Sequence, residues 1–212
     1  MAEKMLVTQA LDERELLEKK IEDKIEKLRI ADCKKRNEEK TINDKVSAEE
    51  FAKNAASGYQ QIMDLIDRYQ RLVAAVIASN AATFVESTRG RMSVAAAIAL
   101  RTRLKTNCFE NLLARMMEQE YRDNVSYADN RNKSLESQAE SMRLSILGKD
   151  SKVKDDKPLE VVEAYIRENT TEVMNPLDAK NKAQQLREQT AAFLKELETL
   201  IKVSNATTMI EF

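Results

Sequence analysis

The octapeptide Ser79-Asn80-Ala81-Ala82-Thr83-Phe84-Val85-Glu86 recurs near the end of the chain as Ser204-Asn205-Ala206-Thr207-Thr208-Met209-Ile210-Glu211. The offset is 125 residues (Asn205 against Asn80), and the agreement continues upstream. Tyr69, Leu72 and Val76 lead to Asn80 as Leu194, Leu197 and Ile201 lead to Asn205. Steps of three and four residues put each set on one face of a helix. Asn80 and Thr83 therefore extend one apolar stripe, and Asn205 and Thr208 extend another. Burying an unpaired amide or hydroxyl costs about 1–3 kcal/mol, so these polar pairs need partners. The partners are either protein groups or a ligand, and that choice is the functional question.

The composition agrees with long helices. Of 212 residues, 42% are hydrophobic and 33% charged, with only 3 Gly, 2 Pro and 5% aromatics. Few breakers among abundant Ala, Leu, Glu, Lys and Arg favour an all-α fold. We expect a long-helix antiparallel bundle of coiled-coil character, forming one domain over residues 1–212 with 123–175 as an inserted polar and helical segment.

The 35 basic and 36 acidic residues nearly cancel, so no net field draws nucleic acid or an anionic membrane. No apolar run reaches the 18 or more residues that a membrane span needs, and Met1-Ala2-Glu3-Lys4 opens no signal peptide. Cys33 and Cys108 form no metal-spacing motif and read as reduced thiols. A cytoplasmic protein without metal or cofactor is expected. Histidine is absent, which removes the commonest general base and every His-containing metal site. No paired carboxylates stand on an apolar face, so enzymatic activity is not expected.

Along the chain, residues 3 to about 35 read as one helix with a seam of Val7, Ala10, Leu11, Leu17, Ile21, Ile25 and Leu28. Arg14 interrupts that seam. Its stem either lies along the core while its head meets a carboxylate, or its guanidinium faces a bound anion. Residues 34–57 read as a loop with a cap at Ser47, three residues before Glu50. A second long helix follows Gly58, and residues 80–92 form the principal connection. Arg89-Gly90-Arg91 and a Ser93 N-cap there suit either an anion site or a solvated turn. A third helix runs from Val94 to the Glu118–Arg122 region. Ala97, Arg101, Leu104, Cys108 and Leu112 share its face, and Met116 and Met117 read as core filler.

Residues 123–175 are the least regular in pattern, with a short helix over 134–147 ending at Gly148, a mobile polar run over 149–157, and a short helix from Pro158 through Ile166. Asn175-Pro176 marks the start of the final helix.

Four short motifs stand out: Ala10-Leu11-x-Glu13-Arg14-x-x-Leu17-x-x-Lys20-Ile21, the Asn80-x-x-Thr83 turn with its following Gly90, Ala97-Ile98-Ala99-Leu100-Arg101, and Asn205-Ala206-Thr207-Thr208. In this order they resemble the septicolysin-like family of small helical proteins of bacteria and their phages. The likeness covers roughly 5–32, 60–120 and 175–212. It departs at the 123–175 insertion and at a turn before the third helix that is about one residue longer. The resemblance implies an all-helical homo-oligomer and supplies no biochemical activity.

Two functions compete. In the first, Arg14, Asn80, Thr83, Arg89, Arg91, Ser93, Arg101, Asn205, Thr207 and Thr208 build pockets between helices or subunits. Arginine, amide and hydroxyl groups suit a phosphorylated or nucleotide-type small molecule, held unchanged. A phage protein of this kind would act as a sponge for a nucleotide signal of host immunity, by analogy alone. In the second, the chain is a structural homo-oligomer whose polar groups satisfy one another. Glu13, Glu86 and Glu211 then neutralise the arginines, while Asn80 and Asn205 cap helix ends. A carboxylate-dependent hydrolase is a distant third.

Overall fold

A computed structural model of the chain describes residues 3–147 and 157–212. The expected stop at Gly148 and all but Lys157 of the polar run lie outside the described residues. Along the chain come β1 (Lys4–Leu6), α1 (Val7–Lys27), α2 (Ala48–Ala82), β2 (Phe84–Ser87) and β3 (Gly90–Ser93). They are followed by α3 (Val94–Thr106), α4 (Phe109–Leu147), α5 (Lys157–Asn169), α6 (Ala179–Thr207) and β4 (Met209–Glu211). The fold is all-α, with two small antiparallel strand pairs, β1–β4 and β2–β3. No helix among the described residues is long and apolar enough to cross a membrane.

The first helix stops at Lys27, short of the expected residue 35. Asp32 explains the stop. Its carboxylate accepts from the backbone N–H of Cys33 at 2.7 Å and of Asp44 at 3.0 Å, and from the Asn43 side chain at 2.7 Å. A side chain that gathers backbone donors this way holds a loop against the competing helix.

The second helix is longer than expected, because Gly58 does not break it. Ser47 caps its start, accepting from Glu50 N–H at 3.1 Å. Gly58 marks a close approach: a Cβ there would stand 2.7 Å from Leu28 Cδ1.

The residues group into two compact units. The first comprises residues 1–103 and 194–212. Its core is Val7, Ala10, Leu17, Leu72, Val76 and Ile210, with Leu11, Leu65 and Tyr69 packed against it. Arg68 on α2 pins the chain ends. It donates to Glu3 at 2.7 Å and to Glu13 at 2.6 Å, and its head lies 5.4 Å from the Phe212 ring centre.

The second unit is Leu104–Phe193, which contains the segment 123–175. Most of that segment is regular, contrary to its polar composition. Asn124, Ser137 and Ser141 each donate to the carbonyl four residues back, so α4 continues through them. Ala128, Leu135 and Ala139 are buried at helical spacing. Asn132 grips the backbone of Thr171, giving 3.0 Å and receiving 2.8 Å. The expected third helix breaks at Asn107 and Cys108. Its shared face therefore ends at Leu104, and Leu112 is exposed. Met116 is 57% exposed and is not core filler. Both cysteines are free. The last helix begins at Ala179 and not Pro176, although Asn175 still caps it, accepting from Ala179 N–H at 2.9 Å.

Candidate functional site

The site is built by two helix-to-strand corners with one backbone pattern. Thr83 N–H donates to Ser79 C=O at 2.9 Å, and Thr208 N–H donates to Ser204 C=O at 2.9 Å. Each threonine carbonyl then accepts the N–H of a new helix. Val94 donates to Thr83 at 2.9 Å, and Val7 donates to Thr208 at 3.0 Å. The strand registers match as well, with Phe84 facing Ser93 and Met209 facing Leu6.

This correspondence carries into the helices that follow. Val7, Ala10, Leu11, Arg14 and Leu17 answer to Val94, Ala97, Ile98, Arg101 and Leu104, at an offset of 87 (Arg101 against Arg14). Val7, Ala10, Val94 and Ala97 are all at most 1% exposed. The chain thus repeats one strand–helix…helix–strand unit: Lys4–Ser87 and then Gly90–Glu211. The second repeat is longer by 125 − 87 = 38 residues, the extra length falling between α3 and the end of α6. Strands pair across repeats, β2 with β3 and β4 with β1. Within the first unit this is a pseudo-two-fold arrangement. The pattern Val-x-x-Ala-Leu/Ile-x-x-Arg-x-x-Leu is legible in the sequence once an offset of 87 is tried beside 125.

Residues of both repeats line a cavity of about 420 Å³. Its apolar wall is Leu11, Leu72, Val73, Val76, Ile77, Ile98 and Ile201. Its polar groups are Arg14, Arg101, Asn80 and Asn205, one pair from each corresponding position. The volume falls within the range of small-molecule pockets, as does a mostly apolar lining with few polar groups.

The protein satisfies these polar groups only in part. Among the described residues, the side chains of Asn80, Asn205 and Arg101 make no hydrogen bond or ion pair. Arg14 Nε is buried with no hydrogen-bond partner and forms a long ion pair with Glu18 at 4.0 Å. Glu18 is already engaged, accepting from Tyr69 OH at 2.7 Å, and that bond raises the Tyr69 pKa.

Of the glutamates expected to neutralise the arginines, Glu86 does so at Arg91, while Glu13 and Glu211 are occupied elsewhere. Glu13 binds Arg68, Glu86 lies 3.5 Å from Arg91, and Glu211 lies 3.4 Å from Lys4. Asn80 and Asn205 sit inside the last turns of α2 and α6 and cap nothing.

The other six candidates do not line this cavity. Thr83 and Thr208 form the corners through their backbones, and Thr208 Oγ1 lies 3.5 Å from Ser204 Oγ. Thr207 Oγ1 donates to Val203 C=O at 2.9 Å. Ser93 caps α3, accepting from Ala96 N–H at 3.2 Å. Arg89 is exposed in the tight turn between β2 and β3, and Arg91 stacks 4.7 Å from the Phe84 ring centre beside Glu86. The connection 80–92 is therefore a β-hairpin, turned at Gly90 with φ +109°, a conformation that favours glycine. Thr88 moors its tip to α6, donating to Glu196 from N–H at 2.7 Å and from Oγ1 at 2.6 Å.

A second cavity of the first unit, about 570 Å³, is rich in lysine but largely self-satisfied. There Lys27 pairs with Asp23, Arg29 with Asp44 at 3.5 Å, and Lys24 donates to Gln61 at 2.9 Å. The arginine–asparagine cavity is the better candidate, because Asn80, Asn205 and Arg101 make no hydrogen bond or ion pair among the described residues and Arg14 only a long ion pair.

No protein-family model, curated protein or solved structure matches the chain.

Proposed function

We propose that the chain is a non-enzymatic binding protein that sequesters a phosphorylated, nucleotide-type small molecule in the Arg14–Asn80–Arg101–Asn205 cavity. The observation that carries this reading is a set of donors over an apolar wall, of which Asn80, Asn205 and Arg101 have no partner among the described residues and Arg14 only a long ion pair to Glu18. Arginine forks suit phosphate oxygens, and amides suit the hydroxyls and base edges of a nucleotide. The competing reading, mutual satisfaction of the same residues, keeps its Glu86–Arg91 pair but not the others, since Glu13 and Glu211 are held by Arg68 and Lys4.

Self-association is part of the proposal. Leu112, Leu113 and Met116 of α4 share a helix face and are 44%, 55% and 57% exposed. An apolar stripe of this kind is what a second chain would cover. Four motifs support placement with the septicolysin-like proteins, and in a phage the protein would act as a sponge for a nucleotide signal.

Native mass spectrometry of the purified protein, followed by denaturation and analysis of what is released, tests both parts. A stoichiometric nucleotide-like ligand and a multiple of the chain mass are expected. Arg101→Ala and Asn80→Ala should abolish that ligand while leaving helicity and subunit number unchanged. Loss of helicity or of assembly in either variant would instead assign the residue a structural role. An empty protein, unresponsive to added nucleotides, would sink the binding reading.

A further inference from the structure

We infer that the ligand carries two phosphate groups in a two-fold-like arrangement, as a cyclic dinucleotide does. The inference rests on the binding reading above and adds the ligand's chemical class.

The cavity presents each donor type twice. Arg14 and Arg101 occupy corresponding positions of the two repeats, as do Asn80 and Asn205. Part of the apolar wall corresponds as well, Leu11 to Ile98 and Val76 to Ile201, whereas Val73 and Ile77 answer to Glu198 and Lys202, which do not line it. A ligand with one phosphate would satisfy one arginine and leave its counterpart facing an apolar wall, which binding penalises. Two phosphodiesters, each with a single negative charge, match two guanidinium groups in number and in sign. The aliphatic wall between them suits the flat faces of two bases better than a compact, fully charged pyrophosphate, which would leave that wall uncovered. The two asparagines, with donor and acceptor on each amide, fit base edges or ribose hydroxyls on either side.

Away from the cavity the repeats diverge freely: Arg68 pins one strand pair through Glu3, while Glu196 moors the other through Thr88. The arginines and asparagines of the lining agree, and the clamps do not.

The test is isothermal titration of the intact chain with cyclic di-AMP, cyclic di-GMP and cyclic UMP-AMP, each set against its single-phosphate cyclic mononucleotides. At least one dinucleotide should bind once per cavity, about 30-fold or more tighter than the mononucleotides. Arg14→Gln and Arg101→Gln should each weaken it about 10- to 100-fold, by factors within about threefold of each other, as expected for loss of one charge-assisted pair apiece. Circular dichroism checks that both variants keep their helices. Should one fail to fold, stoichiometry and the ratio of dinucleotide to mononucleotide affinity in the native protein still decide the matter. Equal or tighter binding of a mononucleotide, or dependence on one arginine alone, would overturn the two-phosphate inference and leave the binding reading standing. Binding of nothing in the panel, with nothing released on denaturation, would overturn both.

Discussion

Asp32 is the residue at which local chemistry most plainly overrides pattern. The seam of Ile21, Ile25 and Leu28 invites a helix to residue 35, yet four donors from Cys33, Asn43 and Asp44 converge on one carboxylate. Those bonds, the Asp44 backbone N–H foremost, hold its pKa down to about 2. The sign follows directly. A carboxylate whose folded pKa lies below its unfolded value of about 3.9 supports the fold above that value. The support fades as pH falls from about 4 through about 2. We expect the Cys33, Asn43 and Asp44 amide resonances to titrate with a midpoint near 2, and Asp32→Asn to remove that transition. A midpoint near 4 would mean that the loop bonds do not persist in solution. Such a loop is unreadable beforehand, because its partners lie 11 and 12 residues away in sequence. Arg14 and Arg101, by contrast, were legible as charges in apolar stripes. What the stripe could not show is that Glu13 would turn to Arg68.

At the scale of elements, the long helices were read correctly in kind and poorly at their ends. Polar residues in α4 bond back onto their own helix, so their abundance did not signal a break. Gly58 misled for a related reason, since its lack of a side chain serves packing and not a turn. Its Cβ would press on the tip of Leu28 at 2.7 Å, a side chain able to rotate. In Gly58→Ala, a gain of about 1 kcal/mol in helix propensity opposes a cost of about 0.5–1.5 kcal/mol for displacing Leu28 from its rotamer. The urea midpoint should therefore shift little, corresponding to no more than about 0.5 kcal/mol. In a Leu28→Ala background the clash is gone, and Gly58→Ala should stabilise by about 1 kcal/mol. Equal effects in the two backgrounds would refute the close approach. The strand pairs escaped notice because three or four residues after a threonine carry little periodic signal. Their register depends on a partner strand elsewhere in the chain.

At the scale of the whole molecule, the repeat has a consequence that no single residue carries. If Lys4–Ser87 and Gly90–Glu211 are corresponding halves, then the covalent link at the β2–β3 turn is interchangeable with the open end of the β1–β4 pair. The structure supplies the junction: Glu3 and Phe212 exchange backbone hydrogen bonds at 3.1 and 3.2 Å, as facing residues of a hairpin do. Joining Phe212 to Glu3 through Asn-Gly gives that pair a two-residue turn of the favoured kind. The chain is then opened between Thr88 and Arg89, which leaves Thr88 on β2 and its two bonds to Glu196 in place. The permuted chain keeps residues 3–212 with Asn-Gly in place of Met1-Ala2, so its length is the same and the entropy of closing the open pair is nearly unchanged. Its stability should lie within about 1 kcal/mol of the native chain, the difference coming from the new turn. Helix content should be the same. Whatever ligand the native cavity holds should bind within a few-fold, because Arg14, Asn80, Arg101 and Asn205 keep their supports. Unfolding followed by circular dichroism, with a parallel ligand titration, reads both quantities. A permutant that folds but loses the ligand would show that the hairpin turn itself contributes to the site, restoring Arg89 and Arg91 as binding groups. One that fails to fold would show that the two strand pairs are not equivalent, and the two-fold argument for the ligand would fall with them.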